Sequence, residues 1–322
     1  MTDEQQVEVA AQVPSLRKQP RPGETAIRGF LFVCGAVSIA VTVGILYELG
    51  KESWLFFADP QVSFWEFISG TVWQPQAGVF GILPLVLGTF LISLVAIVVA
   101  VPIGLAAAIY LAEYASNRVR GVIKPVLEIL VGIPTVVYGF FALTFMTPLL
   151  RGVFGTSTVG FFNVLSAGIV VGILIVPLVS SLSEDALSAV PDSLRQAAYG
   201  LGASKLEVSL RIVVPAAISG IAAGIVVAIS RAVGETMVVT LAAGAAPRNF
   251  QWGDPIFSYI LNPFDPAQAM TGYIVITASG DLGYNTIDYN SIFAIGLTLF
   301  FMTLGLNALS RRFVKRFRQE YE

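Results

Sequence analysis

The chain has 322 residues, 55% of them apolar and only 12% charged, with a formal net charge of −2. Uncharged runs of 18 or more residues recur along it, which marks an integral membrane protein and excludes a soluble domain, and no charge excess favours nucleic acid as a partner. It has no histidine, and its single cysteine, Cys34, lies in an apolar run, so most metalloenzyme and hydrolase constellations and any internal disulfide framework are excluded.

The first 28 residues are polar, contain proline and hold no apolar core for a cleavable signal, so a disordered cytoplasmic tail is expected. Apolar runs of spanning length follow at about 29–47, 85–111, 126–150, 164–182, 216–246 and 291–309. A backbone in lipid must satisfy its own hydrogen bonds, so these read as helices. The expected fold is an all-α integral membrane protein with six transmembrane helices over 29–309, a cytoplasmic loop at 183–215, an outer loop at 247–290 and a basic cytoplasmic tail at 310–322. Segments 1–28, 112–125, 183–215 and 310–322 together hold 15 lysines and arginines, against Lys51, Arg151 and Arg248 in the intervening loops. The positive-inside rule therefore predicts both termini in the cytoplasm. Trp54, Trp65, Trp73, Trp252 and Tyr259 suit an aromatic belt at the outer face.

Within the spans, Gly168 and Gly172, like Gly220 and Gly224, are spaced for close approach of helix backbones. Pro84, Pro102, Pro134 and Pro177 each remove a backbone donor and are expected to kink or interrupt their helices. The stretch "GIPTVVYG", Gly132 to Gly139, adds the hydroxyls of Thr135 and Tyr138 to such a break, where a helix would face a polar path. Lys124 and Glu128 are spaced to pair along one helix near the cytoplasmic membrane edge, or to anchor the helix end there.

The loop "SEDALSAVPDSLRQAAYGLGASKLEVSLRIVVP" is patterned rather than a tether. Pro191 opens a short helix with Leu194, Ala197 and Ala198 on one side; Ser204 and Glu207 have capping-box spacing and start a second, with Leu206, Leu210 and Val213 along one face. Two short helices joined at glycine form a knuckle that fits a groove in a soluble partner; the alternative is an interfacial amphipathic hairpin.

Arg231 and Glu235 lie deep in the fifth run, four residues apart and so on one helix face. Ionisable groups at such depth cost roughly 2.5 kcal/mol or more and face a bundle interior or a watery cavity. Arginine offers an oxyanion a planar donor fork, with Glu235 holding it when the path is empty; the alternative is a buried pair that only fixes packing. Gly234 is placed to loosen the helix between them. No P-loop is present, so energy must come from another polypeptide or from an ion gradient. An ion-coupled transporter or channel is the rival class; a membrane enzyme is disfavoured because no useful pairing of nucleophile, base or metal ligands occurs.

Gln196, Ala197 and Ala198, then Gly202, with Ile212 and Pro215 at the far end, match the spacing of the "EAA" loop of ABC importer permeases, which this stretch resembles. Gln196 replaces the usual glutamate and Val214 the usual leucine. "SRAVGETM" from Ser230, "GIPTVVYGF" and "SIFAIGLTLFFMTLGLNALSRR" from Ser291 look like the C-type permease family of bacterial phosphate-specific importers. The resemblance implies a MetI-like ABC importer permease fold in the bacterial inner membrane. It also implies a heterodimer with a sister permease, an extracytoplasmic phosphate-binding protein, and cytoplasmic ATPase subunits that carry ATP and magnesium, with no cofactor in this chain. The loop would dock on the ATPase, and Arg231, Glu235, Thr135 and Tyr138 would line the path. Helix chemistry alone does not separate phosphate from sulfate or molybdate.

Overall fold

The computed structural model describes residues 22–280, 283 and 286–317. The expected tail through residue 21, Asp281 of the outer loop and the last residues from 318 lie outside that set. The chain divides at Glu48 into two units, with helix α1, Pro22–Ala58, running through the division. In the first unit α1 begins already at Pro22 rather than at Gly29, and exposes Phe30, Leu31, Phe32 and Ile39, as a helix that is apolar all round does in lipid.

The second unit, from Leu49, holds the end of α1, then α2 (Phe64–Ser69) and a two-stranded antiparallel hairpin with Trp73 opposite Phe80. After it come α3 (Leu83–Tyr114), α4 (Asn117–Gly132), α5 (Thr135–Phe154) and α6 (Val164–Ser188). The rest is α7 (Asp192–Gly200), α8 (Lys205–Ala216), α9 (Ile218–Val233), α10 (Met237–Ala242), α11 (Met270–Ala278) and α12 (Ile287–Phe317). Among the described residues five helices are long and apolar enough to cross a bilayer, or six if α8 and α9, bent by 70° at Ala217, form one span.

The core is a stack of α3, α6 and α9 drawn together by the two glycine pairs. A Cβ on Gly168 would stand 2.5 Å from that of Val95, and one on Gly172 would stand 2.9 Å from the Ala96 carbonyl oxygen, so only glycine lets α6 lie this close to α3. Further along α6, Cβ atoms on Gly220 and Gly224 would meet Ala186 at 2.6 Å and Leu182 at 2.8 Å.

Four expectations change. The run at 126–150 is not one span: the chain breaks at Ile133 and Pro134, between the amphipathic α4 and the spanning α5, because proline cannot continue the ladder of the preceding turn. The run at 216–246 also breaks, at Gly234, so α9 ends within it and α10 starts two residues after Glu235. Pro84 opens α3 rather than kinking it, and Pro102 and Pro177 lie inside α3 and α6 without interrupting them. Trp73 is 1% exposed, packed edge-to-face on Tyr273 at 5.0 Å and on Phe80 at 5.8 Å, so it belongs to the core and not to an aromatic belt. Trp54, Trp65 and Trp252 are exposed.

The stretch 247–280 is held rather than draped. Arg248, 8% exposed, donates to the carbonyls of Pro266, Tyr259, Ile260 and Asn262, with Nη1 to Asn262 at 2.7 Å. The apolar helix α11 within it buries Met270, Thr271 and Tyr273 instead of lying on a surface, and Thr89 Oγ1 of α3 accepts the Met270 N–H at 3.0 Å.

Candidate functional site

Helix α9 is pinned to α6 by its glycines and to α12 by Ser230 Oγ, which bonds Asn307 Oδ1 at 2.9 Å. Arg231 therefore falls in the last turn of α9, where a cation complements the helix dipole. Gly234 caps the helix, and the chain turns so that Glu235 lies in the break before α10. Its backbone carbonyl accepts from Thr271 Oγ1 of α11 at 2.8 Å, which fixes the break from the side.

Across this break Arg231 Nη1 donates to Glu235 Oε2 at 2.7 Å. The two partners differ in surroundings: the Glu235 side chain is 2% exposed and that of Arg231 44%. The carboxylate is structural in position and the guanidinium is presented. Only Nη1 is engaged among the described bonds, so the rest of the donor fork is free for a planar or tetrahedral anion.

Arg231 opens on a cavity of about 440 Å³ between α4, the start of α5, and α6. Thr135, Lys124, Glu128, Ser180, Ser181 and Glu184 stand on its wall with Leu174 and Leu178. The size and the few convergent polar groups in an apolar lining are those of a small-ligand site. Thr135 thus shares the cavity with Arg231. Tyr138 does not line it: the ring is buried and its hydroxyl donates to the Leu130 carbonyl at 2.9 Å, bridging the Pro134 break.

Lys124 does not pair along its own helix with Glu128 as the spacing suggested. It crosses to α6, meeting Glu184 Oε2 at 3.2 Å and Asp185 Oδ1 at 3.6 Å, while Arg120 takes Glu184 Oε1. Sequence reasoning missed Glu184, because its partners come from another helix and nothing local marks it.

The patterned loop forms both expected helices. Ser204 and Glu207 make the full capping box, and Gly202 takes φ +84, a left-handed value that favours glycine. Gln196 and Ala197 are exposed, Ala198 is buried, Ile212 is half-buried, and Pro215 lies just before the 70° bend. Leu206 and Leu210 point outward while Val208 and Val213 are buried, since a π-turn at Val208–Val213 shifts the phase and replaces the expected face. With Leu201, 90% exposed, they give the knuckle an apolar outer surface. Arg195 seats it, donating to Glu113 Oε1 of α3 at 2.9 Å and to the carbonyls of Leu187 and Val190.

Residues 100–320 match the family described as the binding-protein-dependent transport system inner membrane component. A probable ABC transporter permease protein, YqgH, of Bacillus subtilis is 31% identical over 94% of each chain. The phosphate transport system permease protein PstC of Mesorhizobium japonicum is 31% identical over 87% of this chain and 88% of its own. A solved bacterial ABC transporter, described as importing the acidic polysaccharide alginate, has a chain 16% identical that superposes with a TM-score of 0.58 over 91% of this chain and 99% of that one, a likeness of fold. The chain is therefore a multi-pass protein of the bacterial inner membrane and belongs to the family of inner-membrane components of binding-protein-dependent transport systems.

Proposed function

We propose that this chain is the C-type permease subunit of a phosphate importer, passing inorganic phosphate along the cavity onto which Arg231 opens. One observation carries the reading: a half-exposed guanidinium, held by a buried carboxylate at a helix break, faces a cavity within a permease fold. An anion needs a donor fork that is held in place yet releasable, and Glu235 provides the hold without itself facing the cavity. The likeness to PstC-named permeases supports phosphate over other oxyanions. The reading includes a sister permease completing the path, ATPase subunits docked on the α7–α8 knuckle, and a binding protein delivering substrate at the opposite face, with both termini cytoplasmic. ATP and magnesium then belong to the ATPase, and this chain is a transport component without enzymatic activity.

The test is purification with the neighbouring subunits, reconstitution in liposomes, and measurement of which oxyanion-loaded binding protein stimulates ATP hydrolysis. Phosphate is expected to stimulate and sulfate or molybdate to leave the basal rate unchanged. Stimulation by sulfate or molybdate alone would overturn the substrate.

A further inference from the structure

The cavity wall carries a second ion pair built like the first. Lys124 has a side chain 36% exposed and is joined to Glu184, 1% exposed, just as Arg231 at 44% is joined to Glu235 at 2%. Both cations and the Glu184 carboxylate line one cavity. On the same wall Ser180, fully buried, has a hydroxyl with no hydrogen-bond partner among the described residues, although a helical serine can bond back to the preceding turn.

Glu184 also differs from a simple lock, because its two oxygens are divided between two cations. Arg120 holds Oε1, and Lys124 reaches Oε2. If Lys124 let go, Arg120 would still neutralise the buried carboxylate, so the release leaves no stranded charge. Arg120 also bonds Ser188 Oγ at 3.1 Å, at the end of α6 next to the knuckle. The pair therefore stands at the knuckle end of the cavity, and Arg231 at the α9 end.

We infer that Lys124 is a second oxyanion contact in the transport path, an exit station at which the lysine exchanges Glu184 for the anion handed on from Arg231. This rests on the phosphate-path reading above. A lysine suits the step: its ammonium is a compact point charge on a flexible stem, which holds an anion without the bidentate grip of arginine. Glu128, on the same wall, keeps that hold brief by repulsion.

The chain has one cysteine, Cys34, so the assembled complex carrying Cys34→Ser in this subunit is the parent for chemical rescue. Lys124→Cys in that parent is expected to lower phosphate uptake into proteoliposomes by tenfold or more, with the complex still assembled because Arg120 remains on Glu184. Treatment with an aminoethyl methanethiosulfonate, which rebuilds a lysine-like ammonium on the cysteine, is expected to restore most of the uptake, and methyl methanethiosulfonate is expected to restore none. Uptake within twofold of the parent, equal recovery with the neutral reagent, or no recovery with the charged one overturns the exit station. Arg231→Gln is measured in parallel. If it is inactive while Lys124→Cys transports normally, only the exit station fails; if it transports normally, the reading of Arg231 itself fails.

Discussion

Arg231 and Glu235 are joined across a helix break, the guanidinium ending one helix and the carboxylate preceding the next, with Nη1 and Oε2 2.7 Å apart. In a continuous helix the same two residues would be a surface pair one turn apart. The break at Gly234 lets Glu235 be buried while Arg231 remains in the cavity wall.

That asymmetry sets the mutational order. Arg231→Gln removes the donor fork and leaves the buried Glu235 carboxylate without its counter-ion beside the anion's path, so uptake should fall at least a hundredfold. Arg231→Lys should recover little, because an ammonium cannot reproduce bidentate geometry. Replacing both residues by glutamine avoids an unpaired buried charge, whose cost is about 3–5 kcal/mol where one partner of a fully buried pair is removed and less here because Arg231 is partly solvated. The double variant should assemble and hydrolyse ATP without moving phosphate. Normal uptake by it, measured with labelled phosphate in vesicles, would return the pair to a purely structural role.

The glycine contacts give a stability prediction. Gly168→Ala places a methyl group 2.5 Å from Val95 Cβ, and relieving that overlap should cost about 1–3 kcal/mol. The purified complex should melt several degrees lower. Adding Val95→Ala removes Cγ1, 2.6 Å from that methyl group, but keeps Cβ, so it should recover only the smaller part of the loss; an unchanged melting temperature for Gly168→Ala would show that the two helices are not held this close.

Much of this was legible because it is local. The Ser204–Glu207 capping box, the glycine spacing, the Pro134 break and the loosening at Gly234 each depend on residues within a turn of one another, and each is where the sequence places it. What failed depends on distant partners. Lys124 has a local acid four residues on, yet two acidic groups on α6 outcompete it. Trp73 reads as a belt residue until Phe80 and Tyr273 enclose it, and Arg248 reads as a loop charge until the loop closes its carbonyls around it. Apolarity finds the spans but not their interruptions, since the residues on both sides of a break are equally apolar.

The loop around Arg248 should be rigid for a physical reason that can be tested. One guanidinium satisfies four carbonyls, and a bond from a charged donor is worth about 1.5–3 kcal/mol. Arg248→Ala should therefore destabilise the segment 247–268 by a few kcal/mol, read as faster amide hydrogen exchange there and little change in α6. Arg248→Lys should rescue only partly. Unchanged exchange would show that the loop is held by other contacts.

Sidedness follows from two well exposed residues at the knuckle and in the 247–290 segment. Leu201 is 90% exposed and Trp252 78% exposed. In a Cys34→Ser chain, Leu201→Cys should react with an impermeant thiol reagent only from the cytoplasm, and Trp252→Cys only from outside. Labelling of both from one face would overturn the topology.

The knuckle supplies the last prediction, because its conformation and its seat can be disturbed separately. Gly202 has φ +84 and nothing within 4 Å of an added Cβ, so a substitution there acts through the backbone and not by a clash. Gly202→Val should strain the turn by about 1–3 kcal/mol, the range for a non-glycine residue forced into the left-handed region, whereas Gly202→Asn should be tolerated. The valine variant should insert normally, keep its cavity, and lose most of the coupling between ATP hydrolysis and uptake. Arg195→Ala acts on the seat: it removes the bonds to Glu113, Leu187 and Val190 and leaves the turn itself unstrained. It should weaken co-purification of the ATPase as well as uptake, with Arg195→Lys intermediate. If the Gly202→Val complex retains the ATPase and imports phosphate at the parental rate per ATP, the knuckle is not the coupling element.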